Sequence, residues 1–526
     1  MHSTHWLYSW KTLIAASILF PPLGLVLIWM RPSTTLSRRI LNSIYITALG
    51  FFYLYQFAGL RIGRNGSGIP TLSFEKSGDA HYLELERNRE LHAQLPLSPP
   101  IAQEISATPS ASTPEPVESV AAPSIEPATP KENAKPNPKP ANAYWTDFRG
   151  PNRDGAYGEM DILTTWPTQG LPQLWRQPVG GGYASFVAAG GRAFTIEQRR
   201  SQEVVAAYDL ETGRELWTHS WDGDFRESMG GDGPRATPTW HEGRLYALGA
   251  LGKLCCLDAR TGKLVWNRSI LSDAQTGNLQ WGMSAAPLIV DDKVIVLPGG
   301  RPGKSVVAYN KDTGSLVWQA LDDKQAYTSP ALVTLAGQRQ ILMVSASRVA
   351  GLAPEDGKLL WDSPWVTSYD VNSAQPLVVG ENRVFVSAGY GHGAAVVEVA
   401  RSGDSFTAKL VWQNVNMKNK FNSSVFYQGH IYGLDEAILS CVNAETGERK
   451  WKGGRYGYGQ LLRASAHLIV LTESGEVVLV KATPESHVEI SRFSAIEGRT
   501  WNNPALANGL LLVRNTTEMA CFRIGK

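Results

Sequence analysis

Cysteine is scarce in this chain: four residues among 526, at positions 255, 256, 441 and 521. Their spacing follows no metal-ligand pattern and no disulfide framework. There is no C-x-x-C-H run to attach a haem, no H-E-x-x-H, no G-x-S-x-G and no phosphate-cradling glycine loop. Those absences exclude the metalloprotease, serine-hydrolase and nucleotide-triphosphatase readings that such motifs support. A dominant charge is also missing. Fifty Lys and Arg stand against 48 Asp and Glu, a formal net charge of +2, so no global bias points to nucleic acid or to acidic partners. What the chain has in excess is glycine (50) and tryptophan (17), and any account of the fold must explain both.

The first sixty residues hold two apolar runs, LIAASILFPPLGLVLIWM (13–30) and ILNSIYITALGFFYLYQFAGL (40–60), both uncharged. Each is near the roughly 20 residues that cross a hydrocarbon core. No small-residue cleavage site follows the first run, which argues against a removed signal peptide. The expectation is a membrane anchor over 1–62 with two transmembrane helices at about 12–30 and 40–60, the first kinked at Pro21–Pro22. The loop between them carries Arg31, Arg38 and Arg39. Basic short loops favour the cytoplasm, so both the N-terminus and everything after residue 60 are expected outside a bacterial inner membrane, on the periplasmic side. Residues 63–142 read as a Pro/Ala/Ser-rich disordered linker. GDAHYLELERNRELHAQ (78–94) has the composition of a short helix, and twelve prolines lie between Pro96 and Pro140. A stiff extended stretch of that kind spans on the order of 100 Å and is expected to hold the next domain off the membrane.

From residue 143 to 526 one eleven-residue pattern recurs: AYDLETGRELW (207–217), CLDARTGKLVW (256–266), AYNKDTGSLVW (308–318), GLAPEDGKLLW (351–361) and CVNAETGERKW (441–451). A copy with a longer turn ends at Trp412 and a degenerate one at Phe493. The spacing between closing aromatics is that of propeller blades. Each copy reads as a β-hairpin, with a glycine able to take positive φ at its turn. The aromatic, together with Trp175 upstream, is expected to dock on the neighbouring blade; the docking set is Trp175, Trp217, Trp266, Trp318, Trp361, Trp412 and Trp451. Two further strands precede each hairpin, so a unit has four strands. Seven units are complete. An eighth, starting at Trp501, lacks its outer strand, and the orphan strand LPQLWRQPV (171–179) can supply it. The expected fold is therefore an all-β, eight-bladed β-propeller whose N-terminal strand closes the last blade and leaves no open edge.

The Trp-ending motif resembles the tryptophan-docking repeat of the quinoprotein alcohol dehydrogenase-like superfamily. YWTDFRGPNRDGAYGE (144–159) looks like the start of a bacterial repeat family that resembles binders of pyrroloquinoline quinone (PQQ). The resemblance covers about 380 residues. It implies the eight-bladed fold, shared by PQQ-dependent dehydrogenases and by the B subunit of the outer-membrane β-barrel assembly machine, and it says little about activity. Adjacent cysteines close a disulfide ring over the cofactor in the PQQ alcohol dehydrogenases, which makes Cys255–Cys256 a candidate redox pair. The repeat register argues otherwise. Cys256 occupies the first, small-residue slot of its copy, as Ala207, Ala308, Gly351 and Cys441 do in theirs, and Cys521 falls near the same slot of the eighth unit. The cysteines are expected to be structural.

Loops entering the innermost strands shape the mouth of a propeller channel. Arg235, Trp281, Tyr327, Asp370, Asn372, Lys420, Asn422, Tyr458, Asn502 and Asn503 lie in those stretches and are the candidate ligand-binding residues. Arg and Lys suit carboxylates, and aromatics suit a planar ring. Asp370 is a candidate catalytic base should the funnel hold PQQ with Ca²⁺. No metal site is expected otherwise; the acidic loop WDGDFRESMGGDG (221–233) reads as a solvated connection. The expected function is that of a membrane-anchored, extracytoplasmic, non-catalytic scaffold that binds a ligand or protein. The alternative is a PQQ-dependent alcohol or sugar oxidoreductase. Protein partners at the propeller faces are expected, and nucleic acid is not.

Overall fold

The computed structural model describes residues 9–31, 34–57, 60–64, 70–74, 78–94 and 143–526. From residue 143 onward, eight antiparallel sheets follow one another in chain order. Blades 1 to 7 span residues 187–222, 239–269, 288–320, 331–364, 377–414, 425–455 and 460–494. Blade 8 takes three strands from 505–523, and its outer strand is Gln173–Pro178, paired antiparallel with Glu518–Arg523. The ring therefore closes as expected from the orphan strand.

The blades stack because each exposes two apolar faces that no single sheet can cover. Buried clusters accordingly combine residues from neighbouring blades, for example Leu245 and Cys255 with Phe194 and Val205, and Cys256 and Leu254 with Val294 and Tyr309. Cys255 and Cys256 thus face opposite blade interfaces. Both are free and fully buried, and burial pushes each thiol up to about 12. The pair is structural, with no thiolate character for redox chemistry.

The repeat register is visible in the pairing. The slot residue lies opposite the tryptophan in Ala207↔Trp217, Cys256↔Trp266, Ala308↔Trp318, Gly351↔Trp361, Cys441↔Trp451 and Cys521↔Trp175. Each indole then reaches the next blade. Its N–H donates to a carbonyl at the adjoining turn, as in Trp175 to Leu210 (3.0 Å), Trp266 to Lys311 (2.9 Å) and Trp412 to Ala444 (3.0 Å). Its ring covers the turn glycine, where a Cβ on Gly314 would sit 2.8 Å from Trp266. That glycine has φ +71°, so glycine is required there twice over. Two positions depart from the rule. Trp361 turns its N–H to Gln340 within its own blade (2.6 Å), because the next hairpin, at Ser402–Ser405, lacks the short Thr-Gly turn. Phe493 is two residues past the tryptophan position, which Ser491 occupies opposite Leu479. It packs instead on Trp166, with ring centroids 5.6 Å apart.

The N-terminal run behaves differently from the single kinked helix expected over 12–30. Helix α1 (Trp10–Leu19) ends at Phe20, and α2 (Pro21–Met30) starts at once. The two fold back on each other around Leu13, Leu27 and Ile28. Proline at both first positions of α2 rules out a continuous ladder. α3 (Leu36–Phe57) follows. Among the described residues no helix is long and apolar enough to cross a membrane.

The helix expected near 78–94 is present as α4 (Gly78–His92), and it docks on the propeller. Leu85 is buried, the His81 ring lies 2.9 Å from the Val179 carbonyl, and Arg89 donates to Glu215 at 2.9 Å. The extended Pro-rich stretch from Pro96 to Pro140 lies outside the described residues.

Under α4 a buried cluster spans the seam of blades 1 and 8. Arg199 and Tyr208 both donate to Glu197, and Arg199 also to Glu215 at 2.7 Å. Burial, opposed chiefly by Arg514, pushes the Glu197 carboxyl up to about 7. A raised carboxyl favours the folded state below its unfolded value, about 4.3, and that contribution is lost as pH rises through 7. Glu197→Gln should therefore gain stability relative to the parent between pH 5 and pH 8, read as the difference between their urea midpoints at the two pH values. Removing a docking ring should be costlier and independent of pH. Trp266→Ala is expected to lose about 3–5 kcal/mol in urea unfolding.

Candidate functional site: the blind central channel

The extended segments that enter the eight innermost strands follow one alternation, and the site is built from it. One residue per blade forms a belt: Ser185, Thr237, Ala286, Ser329, Gln375, Ser423, Gln460 and Asn503. Backbone N–H groups of one blade donate to belt side chains of the next, from Ser185 to Thr237 (2.9 Å), Ala286 to Ser329 (2.9 Å), Ser329 to Gln375 (3.1 Å) and Gln375 to Ser423 (3.0 Å). Ser185 Oγ closes the seam by donating to the Asn503 carbonyl at 2.6 Å. The belt is structural.

Two residues earlier in each segment the side chains return to the same face, now at the mouth. Tyr183, Arg235, Tyr327, Phe421, Tyr458 and Trp501 occupy this register. They form most of a collar. Arg235 lies over the Phe225 ring at 4.4 Å and the Tyr183 ring at 5.4 Å, with its guanidinium donating to the Gly231 and Gly233 carbonyls. Tyr183 faces Trp501 (5.7 Å), Trp501 faces Phe421 (4.7 Å) and Phe421 faces Tyr458 (5.8 Å). Arg499 stacks on Trp501 at 4.4 Å and donates to the Tyr183 hydroxyl at 2.9 Å. Lys420 sits between Tyr390 (4.7 Å) and Tyr458 (4.5 Å). Burial lowers its pKa, opposed by Glu436 and Glu473. Trp281 and Tyr327 pair at 5.5 Å on the blade 3 and 4 side.

Beyond the belt the channel is stoppered. The segment YWTDFRGPNRDGAY (144–157) threads under the ring, pairing with blade 1 at one end and with blade 7 at the other. Arg153, buried, donates to the carbonyls of Ala286 (3.2 Å), Pro287 and Pro330 (2.8 Å), to Thr239 Oγ1 (3.1 Å) and to Asp147 (3.2 Å). Arg149, also buried, donates to the carbonyls of Ser424 (2.8 Å) and Leu461 (3.3 Å). Together they tie blades 2, 3, 4, 6 and 7 to one segment. Burial lowers the pKa of Arg149 to about 10, which leaves it charged at neutral pH.

The ten sequence candidates sort by this register. Arg235, Tyr327 and Tyr458 belong to the collar, joined by Trp281 and Lys420. Asn372, Asn422, Asn502 and Asn503 lie deeper and are buried. Asn372 donates to the Ser345 carbonyl (2.9 Å) and Asn502 to those of Gly182 and Ala184 (3.1 and 3.0 Å), which is a structural employment. Asp370 stands apart at the rim, its side chain half exposed and 3.3 Å from Lys324. Tyr183, Phe225, Tyr390, Phe421, Arg499 and Trp501 were not singled out from sequence. The alternation that places Arg235 two residues before Thr237 also marks Tyr183, Phe421 and Trp501; Tyr390 and Phe225 come from other loops and carry no such signal. The sequence likewise treated 144–159 as a family marker and missed its role as a stopper.

A family model described as outer membrane protein assembly factor BamB matches residues 200–453. That is just under half of the chain, and its relatives include BamB proteins and quinoprotein alcohol dehydrogenases, so the chain is similar to the PQQ-like β-propeller superfamily. Among its relatives, an outer membrane protein assembly factor BamB of Burkholderia pseudomallei is 23% identical over 354 residues, covering 59% of this chain and 88% of that one. The quinoprotein alcohol dehydrogenase PedH of Pseudomonas putida is 28% identical over 170 residues, which is 30% of this chain and only 26% of the relative. The solved quinohemoprotein alcohol dehydrogenase ADHIIG of Pseudomonas putida superimposes with a TM-score of 0.51 at 12% identity, over 73% of this chain and 80% of that one, a likeness of fold.

That superfamily raises the question of PQQ with Ca²⁺, and the residues present do not fit it. The candidate base named from sequence, Asp370, is at the rim and paired with Lys324. Asn372 is committed to a backbone carbonyl, Arg235 is spent on two others, and the adjacent cysteines lie between blades, far from the mouth. Among the described residues no three His, Cys, Asp or Glu side chains come together to hold a metal ion. The acidic loop 221–233 also disperses: Asp224 pairs with Arg226 at 2.9 Å and Asp232 accepts from the Glu227 amide.

The stopper should be as important to stability as any core residue. Arg153→Met would strip partners from carbonyls in two blades, and the expected loss is about 3–5 kcal/mol in denaturant unfolding. Arg153→Lys should recover little of it, because one ammonium cannot reach those carbonyls and Asp147 together.

Proposed function

We propose that this protein is a non-catalytic binding scaffold, held at a bacterial inner membrane by its N-terminal helices, with the propeller on the periplasmic side and the collar as its binding face. The observation that carries the reading is the arrangement along the channel axis: an aromatic and cationic collar at one end and a stopper of two buried arginines at the other. A channel blocked below the belt offers a broad shallow surface, which suits a protein better than a deep-seated small molecule. Tyr, Trp and Arg are the side chains enriched where protein contacts are strongest, and here they form one connected patch. The relative in Burkholderia pseudomallei is named for assembly, not for a reaction, and it matches over most of its own length. The apolar, outward-facing side chains of α1 to α3, such as Ile14, Leu41 and Phe52, support the membrane anchor.

The test combines two measurements on the full-length chain in native membranes. A photo-crosslinking residue at Tyr327 should give one discrete protein adduct, lost on Lys420→Glu, while the same residue at Lys409 on an outer strand should give none. Titration of the purified protein with PQQ and Ca²⁺ should give no dye-linked alcohol or sugar oxidation. Saturable quinone binding with turnover would overturn the scaffold reading in favour of an oxidoreductase.

A further inference from the structure

The turn between α1 and α2 leaves no backbone donor unpaired. The Phe20 amide donates to the Ala16 carbonyl at 2.8 Å, and the Leu23 and Gly24 amides both donate to the Phe20 carbonyl, at 3.0 and 3.3 Å. The two residues between them, Pro21 and Pro22, have no N–H at all. A helix N-terminus normally leaves four free donors, and α2 leaves none. In water that economy is unnecessary. In hydrocarbon it is required, since each unsatisfied group costs several kcal/mol.

The side chains agree with the backbone. Ser17 Oγ is bonded to the Leu13 carbonyl at 2.7 Å, and Gly24 gives the backbone of Ser17 room to pack close against α2. The outward face of the hairpin is apolar, and Phe20 at its tip is 60% exposed. All the charge is at the other end. Lys11, Arg31, Arg38 and Arg39 lie at the open base, with Arg31 4.0 Å over the Trp10 ring and Arg39 5.9 Å over the Trp29 ring. Tryptophan and arginine at one level are the signature of a lipid headgroup layer. Arg39 also closes the base by donating from Nη2 to the Arg31 carbonyl at 2.7 Å.

Dimensions decide the topology. α1 and α2 have ten residues each, hence about 15 Å of helix against a hydrocarbon core of about 30 Å. α3 lies alongside, fixed by the Trp29 indole donating to Ser43 (3.0 Å) and by Pro21 meeting Gly50. The base and the tip are thus about 12 Å apart along α2, roughly two fifths of the core.

We infer that α1 and α2 form a re-entrant hairpin that dips into one leaflet of an anionic bilayer and returns, so that Ser9 lies on the same side as Arg31, Arg38 and Arg39. This rests on the membrane reading above, and it replaces the full crossing expected of the first apolar run. It also gathers all four basic residues on one side, where two crossings would send Lys11 to the opposite face.

Sidedness is measurable with single introduced cysteines, because the four native ones are buried. Full-length Ser9→Cys and Thr35→Cys, expressed in bacterial inner membranes, should react with an impermeant maleimide from the same side, either both in spheroplasts or both in inverted vesicles. Labelling of Ser9→Cys and Thr35→Cys from opposite sides would overturn the hairpin. A Lys324→Cys reporter on the propeller tests the other reading separately: reaction only in inverted vesicles would reject a periplasmic propeller and leave the hairpin standing. Release of the chain by alkaline carbonate would reject the membrane reading and the hairpin with it. Phe20→Asp, which puts a charge at the tip, should bind vesicles of phosphatidylcholine and phosphatidylglycerol at least tenfold less tightly than the parent; unchanged binding would also overturn insertion of the tip.

Discussion

Ring closure is the constraint on which this structure depends. Each blade is a sheet with two apolar faces, and seven of the eight interfaces join neighbours in sequence. The eighth must join residues more than 300 positions apart. It rests on strand Gln173–Pro178, which completes blade 8 by lying against Glu518–Arg523, from Phe522↔Gln173 to Glu518↔Pro178. Arg514 reinforces it from within, donating to Thr195 Oγ1 at 2.7 Å and to the Gly180 carbonyl at 2.9 Å. Without this seam Tyr183 and Trp501 would not face each other, and neither the collar nor the belt would be continuous. Closure also removes the exposed strand edge that an open array would present.

Once the ring is closed, one short strand per blade does three jobs at successive depths. The collar residue lies two positions before the belt residue, and the stopper arginines take the carbonyls at and just beyond the belt. Alternation along a strand separates the layers. Eightfold repetition brings like positions to one level. The chemistry at each level follows from what is adjacent: carbonyls without partners below the belt call for guanidinium donors, and solvent above it admits aromatic rings with cations across their faces. The same strand therefore supplies stability at one end and a contact surface at the other.

The two ends of the chain answer to different surroundings. The propeller satisfies its polar groups between blades, whereas the α1–α2 turn satisfies them locally and uses prolines where no partner is available. α4 joins the two regions, because its docking beside Glu215 and Val179 brings the chain onto the propeller before the Pro-rich segment begins.

Much of the propeller was legible because its cause is local and repeated. Trp266, Gly314 and their counterparts recur at blade spacing, and the same register assigned Cys255 and Cys256 to structural slots. The missing outer strand of the eighth unit predicted the closure at Trp175. Local pattern failed where a residue's partner is set by assembly. Phe493 looked like a docking ring in the repeat but answers to Trp166, and Trp361 is diverted to Gln340 by the length of the next hairpin. Arg149 and Arg153 sit in a loop-like sequence, and only the closed ring supplies the carbonyls that make them a stopper. The first apolar run carried the hydropathy of one span, yet two prolines and the fit of Gly24 against Ser17 fold it into two. The sequence by itself determined the blade, because a blade is built from contacts within some fifty residues. The tertiary structure alone decided the channel and the hairpin, because both depend on which distant surfaces meet.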